Sequence, residues 1–289
     1  MKHIIDGIGN TPLVELKHSP NPGVRICAKL EGNNPGGSVK DRAALNMITR
    51  ALERGEIRAD THLIEATSGN TGIALAMIAA IYGLKIELVM PDSATPERVK
   101  TMRAYGAEVT LLESIEVCRD YAGEKGNQQG WFILNQFANA DNEAAHFAST
   151  GPEIWKDTRQ EITHFVSAMG TTGTIMGTSR FLKAQNADIQ IIGCQPMEDS
   201  CIPGIRRWPE EYLPEIYDPA RVDRIMDVSS EQATQGAREL ARKEGIFCGM
   251  SAGGAYYAAC QLAGTMETGL IVFIVCDRGD RYLSSDLFV

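Results

Sequence analysis

The fold is decided most clearly in residues 162–195, which read ITHFVSAMGTTGTIMGTSRFLKAQNADIQIIGCQ. An apolar run at 162–169 is followed by a turn rich in glycine and threonine at 170–174. A helical pattern then covers 174–185, and a second apolar run covers 189–195. Apolar strands that alternate with helices are typical of parallel sheets covered by helices on both faces. This stretch therefore predicts a strand–helix–strand unit of an α/β protein.

The same alternation continues over the rest of the chain. Further strands are predicted at 61–66, 85–90, 107–112 and 269–276, and further helices at 40–54, 71–82, 95–105, 231–244 and 254–263. The chain has 289 residues, of which 44% are hydrophobic, so it is long enough to build two cores. We therefore predict two doubly wound α/β lobes with parallel sheets. The smaller lobe covers 36–145, and the larger lobe combines 1–35 with 146–289.

The composition argues against several kinds of partner. Because the net charge is −9, nucleic acid is not an expected partner. The seven cysteines form no CxxC pair and the five histidines are scattered, so no metal site is predicted. The N-terminal residues do not resemble a signal peptide, and the apolar stretch at 72–84 is too short to span a membrane. We expect a soluble, cytoplasmic protein that acts on small molecules.

A lysine follows a tight turn at the start of the first predicted helix. The Pro-Gly-Gly turn at 35–37 predicts Ser38 as the helix cap and places Lys40 in the first helical turn. The field at a helix N-terminus, together with desolvation, lowers the pKa of an amine. The neutral amine is the form that can build a Schiff base, so Lys40 is a candidate nucleophile. An ordinary exposed lysine is the alternative.

A second turn, at 65–72, reads EATSGNTG and joins a strand to a helix. Backbone N–H groups at a helix start bind small anions, and hydroxyl and amide side chains add further donors. The side chains that could bind a carboxylate here are those of Thr67, Ser68, Asn70 and Thr71. The alternative is an ordinary helix cap.

The turn at 170–174 reads GTTGT and is a candidate phosphate site. Glycine permits a close approach of the backbone, and the threonine hydroxyls supply donors. The turn lacks the lysine of a P-loop and the spacing of a dinucleotide motif. A plain tight turn is the alternative.

Taken together, these segments resemble the cysteine synthase family of fold-type II pyridoxal-phosphate enzymes, which are similar in fold to the tryptophan synthase β subunit. IGNTPL at 8–13 resembles the family's N-terminal signature, SVKDR at 38–42 its cofactor-lysine motif and TSGNTG at 67–72 its carboxylate loop. GTTGT at 170–174, IRRWP at 205–209 and CDRGDRY at 276–282 are similar to the B-type O-acetylserine sulfhydrylases. One departure is Ala252, where many members carry a second serine.

The resemblance implies a role for each residue of the site. Lys40 would carry pyridoxal 5'-phosphate as a Schiff base and act as general base once the substrate displaces it. The cofactor phosphate would be held by Gly170, Thr171, Thr172, Gly173 and Thr174, and the pyridine nitrogen by Ser251. The substrate carboxylate would be bound by Thr67, Ser68, Asn70, Thr71 and Gln136, and Asn70 would also contact the ring hydroxyl. The nucleophile side of the pocket would be lined by Arg206 and Cys276, with Trp208 shaping its wall.

The resemblance also implies the reaction. A homodimeric enzyme would make L-cysteine and acetate from O-acetyl-L-serine and sulfide, and would also make S-sulfocysteine from thiosulfate. One alternative is a related β-replacing or β-eliminating enzyme, such as a cystathionine β-synthase or a serine/threonine dehydratase. Another is a non-enzymatic α/β protein that holds a nucleotide on the turn at 170–174. The sequence does not fix the preferred sulfur donor.

Overall fold

The protein is described here by a computed structural model that covers residues 3–67 and 69–289. The strands, in chain order, are β1 Leu13–Glu15, β2 Val24–Leu30, β3 His62–Ala66, β4 Lys85–Pro91, β5 Glu108–Leu112, β6 Trp131–Ile133, β7 His164–Ala168, β8 Gln190–Pro196, β9 Arg224–Val228 and β10 Gly269–Val275. The α-helices are α1 Lys40–Glu53, α2 Asn70–Tyr82, α3 Pro96–Ala104, α4 Ile115–Gly126, α5 Ala140–Ala145, α6 Gly151–Asp157, α7 Gly173–Gln185, α8 Ser230–Glu239 and α9 Met250–Ala263. Short π-helical turns cover His146–Thr150 and Leu240–Glu244, and 3₁₀ turns cover Ile4–Gly7, Glu31–Asn33, Glu210–Tyr212, Pro219–Arg221, Gly279–Tyr282 and Asp286–Phe288.

The strands form two separate sheets. The larger sheet has the order β1-β2-β10-β7-β8-β9, and the smaller one has the order β5-β4-β3-β6. Within the described residues, β1 pairs antiparallel with β2 and the other strand pairs are parallel. Helices cover the sheets, and the central strand β10 is buried from Leu270 to Val275 because both of its faces pack against other elements. The predicted class, two parallel-sheet α/β lobes, is confirmed.

The division of the chain between the sheets follows its sequence order. The strands between residues 62 and 133 build the smaller sheet, and those at 13–30 and 164–275 build the larger one. The exact lobe boundaries, at 36–145 and at 1–35 with 146–289, stay a prediction. The last of these strands in the chain, β10, lies between β2 and β7 in the larger sheet. It therefore joins an early strand to later ones.

Several elements were not expected from the sequence. They are β1, β2, β6, β9, α4, α5 and α6. In β2 the apolar pattern is interrupted by Lys29, whose side chain is fully buried and forms an ion pair with Glu153 at 2.8 Å. Strand β9 lies at the sheet edge and is largely exposed, so it carries little apolar pattern.

The start of α1 differs from the expected cap. The helix begins at Lys40 with Val39 in the cap position, because Ser38 forms a β-bridge with Asp277 and the Val39 N–H bonds the Cys276 carbonyl oxygen at 2.8 Å. The Ser38 hydroxyl nevertheless accepts the Lys40 N–H at 3.2 Å. The predicted cap was therefore wrong, while Lys40 does lie in the first helical turn.

Helix α9 begins at Met250, before the predicted start at 254. Gly253 lies where α8 packs against α9 at very short range. A Cβ on Gly253 would lie 2.5 Å from the Ala237 backbone nitrogen and closer still to the Ala233 carbonyl oxygen. The glycine at 253 therefore allows the two helices to touch through their backbones.

The carboxyl ends of several parallel strands meet at the cleft between the sheets. Thr67 follows β3, Gly170 comes shortly after β7 and Cys276 follows β10. In open α/β sheets this edge is where ligands bind. None of the helices in the described residues is long and apolar enough to cross a membrane.

Candidate functional site

A pocket at this edge collects most of the residues predicted from the sequence. Those that line it are Lys40, Asn70, Thr71, Gln136, Gly170, Thr171, Thr174, Arg206, Ser251 and Cys276. Thr67, Thr172 and Gly173 are not among the lining residues, although Thr172 and Gly173 lie in the chain between the lining residues Thr171 and Thr174, and Ser68 is outside the described residues. Other residues also line the pocket. Trp208 was predicted only to shape its wall, and the sequence reasoning assigned no role to Val39, Arg98, Ile115, Phe137, Ala168 and Gly204.

Lys40 lies at the first residue of α1 and faces the pocket. Burial lowers the pKa of its ammonium group, while the neighbouring Cys276 and Asp277 act in the opposite direction. A lysine with a lowered pKa more readily supplies the neutral amine that a Schiff base requires. Because Lys40 lines a pocket, it is not the ordinary exposed lysine that was the alternative interpretation.

The described residues of the loop at 67–72, which leave out Ser68, make hydrogen bonds to one another and to Gln136. The Thr67 hydroxyl accepts the N–H groups of Gly69 and Gly72, both at 3.1 Å, so it caps the turn rather than facing the pocket. The Thr71 hydroxyl donates to the Gln136 amide oxygen at 2.7 Å, and both residues line the pocket. The loop is therefore both a cap and a polar pocket wall. The interpretation as a cap fits Thr67, and the interpretation as a polar pocket wall fits Thr71.

The turn at 170–174 has the geometry of an anion cup. Thr172 has the left-handed backbone conformation, with φ at 68°, and α7 begins at Gly173 with its first N–H groups outside the intrahelical pattern. The buried Thr172 hydroxyl has no hydrogen-bond partner among the described residues. A phosphate group would supply the acceptor that this hydroxyl lacks.

Two residues behind the cup were missed by the sequence reasoning. The Asn142 amide donates to the Thr171 hydroxyl at 3.2 Å and to the Gln136 carbonyl oxygen at 2.8 Å. His146 lies with Nε2 at 3.3 Å from the Thr174 hydroxyl, and burial lowers its pKa well below the usual range. A neutral imidazole therefore supports the cup. The helix and π-turn that carry both residues are short, so no periodic pattern could have indicated them.

Asp277 is a further residue that the sequence reasoning left without a role. It is fully buried, and its Oδ2 accepts the Asn70 amide at 2.6 Å and the Tyr282 hydroxyl at 2.7 Å. Arg281 donates to the Asn70 side-chain oxygen and to the Gly36 carbonyl oxygen. The segment after β10 thus fixes Asn70 in the pocket. Its position directly after a buried strand was the signal that could have indicated it.

Ser251 and Cys276 lie on the side of the pocket formed by α9 and β10. Ser251 is buried in the first turn of α9. Burial raises the pKa of the Cys276 thiol to about 11, with Asp277 acting in the same direction. The thiol is therefore protonated at neutral pH and can serve as a small, uncharged wall.

Arg206 and Trp208 also line the pocket. The Arg206 N–H bonds the Met169 carbonyl oxygen at 2.9 Å, and its guanidinium donates to the Ile205 carbonyl oxygen at 2.9 Å. The Trp208 indole donates to the Gly170 carbonyl oxygen at 2.7 Å. Arg207 points elsewhere and pairs with Asp227 at 2.6 Å. The tandem arginines are therefore not equivalent, and only the first lines the pocket.

Comparison with known proteins gives the same picture. The family described as pyridoxal-phosphate dependent enzyme matches residues 4–277. The chain is 58% identical to cysteine synthase B of Pseudomonas aeruginosa, over 99% of this chain and 97% of the relative. It is 55% identical to cysteine synthase B of Escherichia coli, over 97% and 94% of the two chains. The crystal structure of cysteine synthase from Entamoeba histolytica superposes with a TM-score of 0.94 at 38% identity, covering 100% of this chain and 90% of the other.

The two parallel-sheet lobes, the pocket lysine and the anion cup define a fold-type II enzyme that uses pyridoxal phosphate. The chain belongs to this pyridoxal-phosphate dependent family and, within it, to the cysteine synthases, with the B-type enzymes among its similar relatives. The residues present fit the cofactor, because the orphaned Thr172 hydroxyl, the Lys40 amine and the Ser251 hydroxyl are groups that its phosphate, aldehyde and ring nitrogen require. A non-enzymatic nucleotide-binding protein no longer fits these findings.

Proposed function

We propose that this protein makes L-cysteine and acetate from O-acetyl-L-serine and sulfide. The proposal depends most on one observation, that Lys40 lines the same pocket as Asn70 and Thr71 of the carboxylate loop and as residues of the anion cup. Acetate should be released in step with cysteine when the purified enzyme is given both substrates. Formation of pyruvate or another keto acid instead would favour a dehydratase, and cystathionine formed with homocysteine as nucleophile would favour a cystathionine β-synthase.

The described residues divide the work of this reaction. When bound, pyridoxal phosphate holds the amino acid through its carbonyl carbon and withdraws electrons from the α-carbon. Asn70, Thr71 and Gln136 would bind the substrate carboxylate, because they present hydroxyl and amide donors on one wall. Lys40, whose pKa is lowered by burial, would take the α-proton as a neutral amine while acetate leaves from the β-carbon. Sulfur would then bond to the β-carbon, and Lys40 would return the proton to the α-carbon.

Ser251 would face the pyridine nitrogen and keep the reaction on the replacement path. A hydroxyl does not stabilise a protonated ring nitrogen, whereas a carboxylate does. The cofactor therefore stays a weak electron sink, which suits elimination of a good leaving group better than transamination.

Ser251→Asp is expected to slow acetate release about tenfold, equivalent to about 1.4 kcal/mol of activation free energy. The cause is that the new carboxylate would favour a protonated ring nitrogen, whereas the Ser251 hydroxyl would not. Rapid-mixing measurements of acetate release, with Ser251→Ala as the matched control, test the assignment. Unchanged elimination kinetics in Ser251→Asp would mean that another group contacts the ring nitrogen.

Thiosulfate would be a second sulfur donor, giving S-sulfocysteine. Thiosulfate carries a dianionic head with several oxygens, and a guanidinium suits such anions through its fork of N–H donors. Arg206 lines the same pocket as Cys276, whose thiol is protonated and uncharged. Sulfide is small and needs no such anchor.

Arg206→Ala should lower kcat/KM for thiosulfate about tenfold or more, since a charge-assisted contact contributes about 1.5–3 kcal/mol. The value for sulfide should change little. Steady-state assays with both donors measure the difference, and Arg207→Ala is the matched control because Arg207 pairs outside the pocket. Equal losses with both donors would exclude an anchoring role for Arg206.

Two further properties belong to the same proposal. We expect a homodimer and a cytoplasmic location, as the family resemblance implies. Light scattering of the purified protein measures its assembly.

A further inference from the structure

One arginine of the smaller lobe reaches across to the wall of the pocket. Arg119 lies in α4, which packs against β3 and β4 of the smaller sheet. Its guanidinium carbon lies 4.2 Å from the ring centroid of Phe137, 5.2 Å from that of Tyr212 and 5.5 Å from that of Trp208. Its Nη1 also donates to the Tyr212 carbonyl oxygen at 3.2 Å. The three rings and this carbonyl form a single cage around one guanidinium.

The cage contains the pocket wall itself. Trp208 packs edge-on against Phe137, with ring centroids 5.5 Å apart and planes at 83°. On its other side the Trp208 indole bonds the Gly170 carbonyl oxygen at 2.7 Å, at the start of the anion cup. Trp208 is therefore held between the cup and the cage, and Arg206 precedes it closely in the same irregular segment.

A guanidinium is the cation best suited to this arrangement. It is planar and weakly hydrated, so it can stack on several rings at once and lose little solvation. Burial lowers the pKa of Arg119, but a guanidinium remains charged at neutral pH. The cage thus places a permanent cation where two lobes meet, and its partners lie on both sides of that boundary.

We propose that Arg119 is a positioning residue for the nucleophile side of the pocket. It holds Trp208, and with it Arg206, in the place where the head of thiosulfate would bind. The effect of Arg119 on the choice of sulfur donor rests on the proposed use of thiosulfate. Its positioning of the segment at 205–213 does not depend on that use.

Amide hydrogen exchange tests the positioning directly in the cofactor-loaded enzyme. Arg119→Met keeps the apolar stem and removes the guanidinium, and should raise exchange in peptides covering 205–213 about fivefold or more. Exchange in β7 and β8 should stay unchanged, and Arg119→Lys should restore part of the protection. Arg103→Ala, an exposed arginine at the end of α3, is the matched control and should have no effect. Unchanged exchange at 205–213, or an equal rise throughout the smaller lobe, would overturn the proposal.

Kinetics with two donors separate this inference from the proposed function. Arg119→Met should lower kcat/KM for thiosulfate about fivefold and that for sulfide less than about twofold. In a Trp208→Ala background the same change should cause no further loss, because Arg119 would act through the missing ring. Additive losses would contradict a role through Trp208. If the unmodified enzyme forms no S-sulfocysteine while the exchange result holds, thiosulfate use fails and the positioning role stands.

Discussion

Lys40→Ala is expected to abolish cysteine formation, lowering kcat by about a thousandfold or more. The variant loses the amine that would anchor pyridoxal phosphate and take the α-proton. Its carboxylate loop and anion cup are formed by other residues, so the cofactor should still bind weakly through the phosphate. Initial rates measure the loss of activity, and dialysis followed by cofactor quantification measures the loss of anchoring.

Two further measurements make the Lys40 result specific. Lys100→Ala is the matched control, because Lys100 lies exposed on α3 and outside the pocket, and should retain full activity. Borohydride reduction of the unmodified enzyme should fix the cofactor to the peptide that contains Lys40. Labelling of a different lysine would show that the assignment is wrong.

Gly253→Ala is expected to lower the free energy of unfolding by about 3 kcal/mol, near the upper part of the range for overpacked cores. The new methyl group would lie 2.5 Å from the Ala237 backbone nitrogen and closer to the Ala233 carbonyl oxygen. Neither backbone group can move without separating α8 from α9. Urea unfolding followed by circular dichroism measures the change.

The adjacent glycine is a strict control for this prediction. A methyl group on Gly254 would lie at an ordinary 3.6 Å from the Ala233 Cβ and the Val228 Cγ1. Since alanine favours a helix over glycine by about 1 kcal/mol, Gly254→Ala should be neutral or slightly stabilising. If the two variants had the same stability, close contact between the helix backbones could not be the reason for glycine at 253.

The sequence carried enough information for the architecture and for most of the pocket. Near-continuous apolar strands alternate with helices along the sequence, and glycine–hydroxyl turns mark the points where strand ends meet helices. These turns alone left ordinary caps and turns as alternatives, so Lys40, Thr71 and Thr174 were assigned to one site by the resemblance to the cysteine synthase family. The edge strand β9 was not predicted, because it is largely exposed and therefore has little apolar pattern.

The residues that were missed act through tertiary contacts. Asn142, Asp277 and Arg119 reach the site only after distant segments have packed together. A role for Thr67 in carboxylate binding stays a prediction. Its hydroxyl accepts the N–H groups of Gly69 and Gly72 in its own loop, which the residue type alone does not indicate. Local sequence indicates which donors are present, whereas only packing decides where each donor points.

The position of β10 in the sheet has a consequence for co-translational folding. This strand is encoded near the end of the chain, yet its partners are β2, made early, and β7. While the chain is being synthesised, the inner edge of β2 has no native neighbour, and strand edges in that state are prone to mispairing. The smaller sheet, built from consecutive segments between residues 62 and 133, can form much sooner. We therefore expect the smaller lobe to fold first. The larger sheet, with Cys276 and Asp277 directly after β10, is expected to be completed only after residues 269–277 emerge.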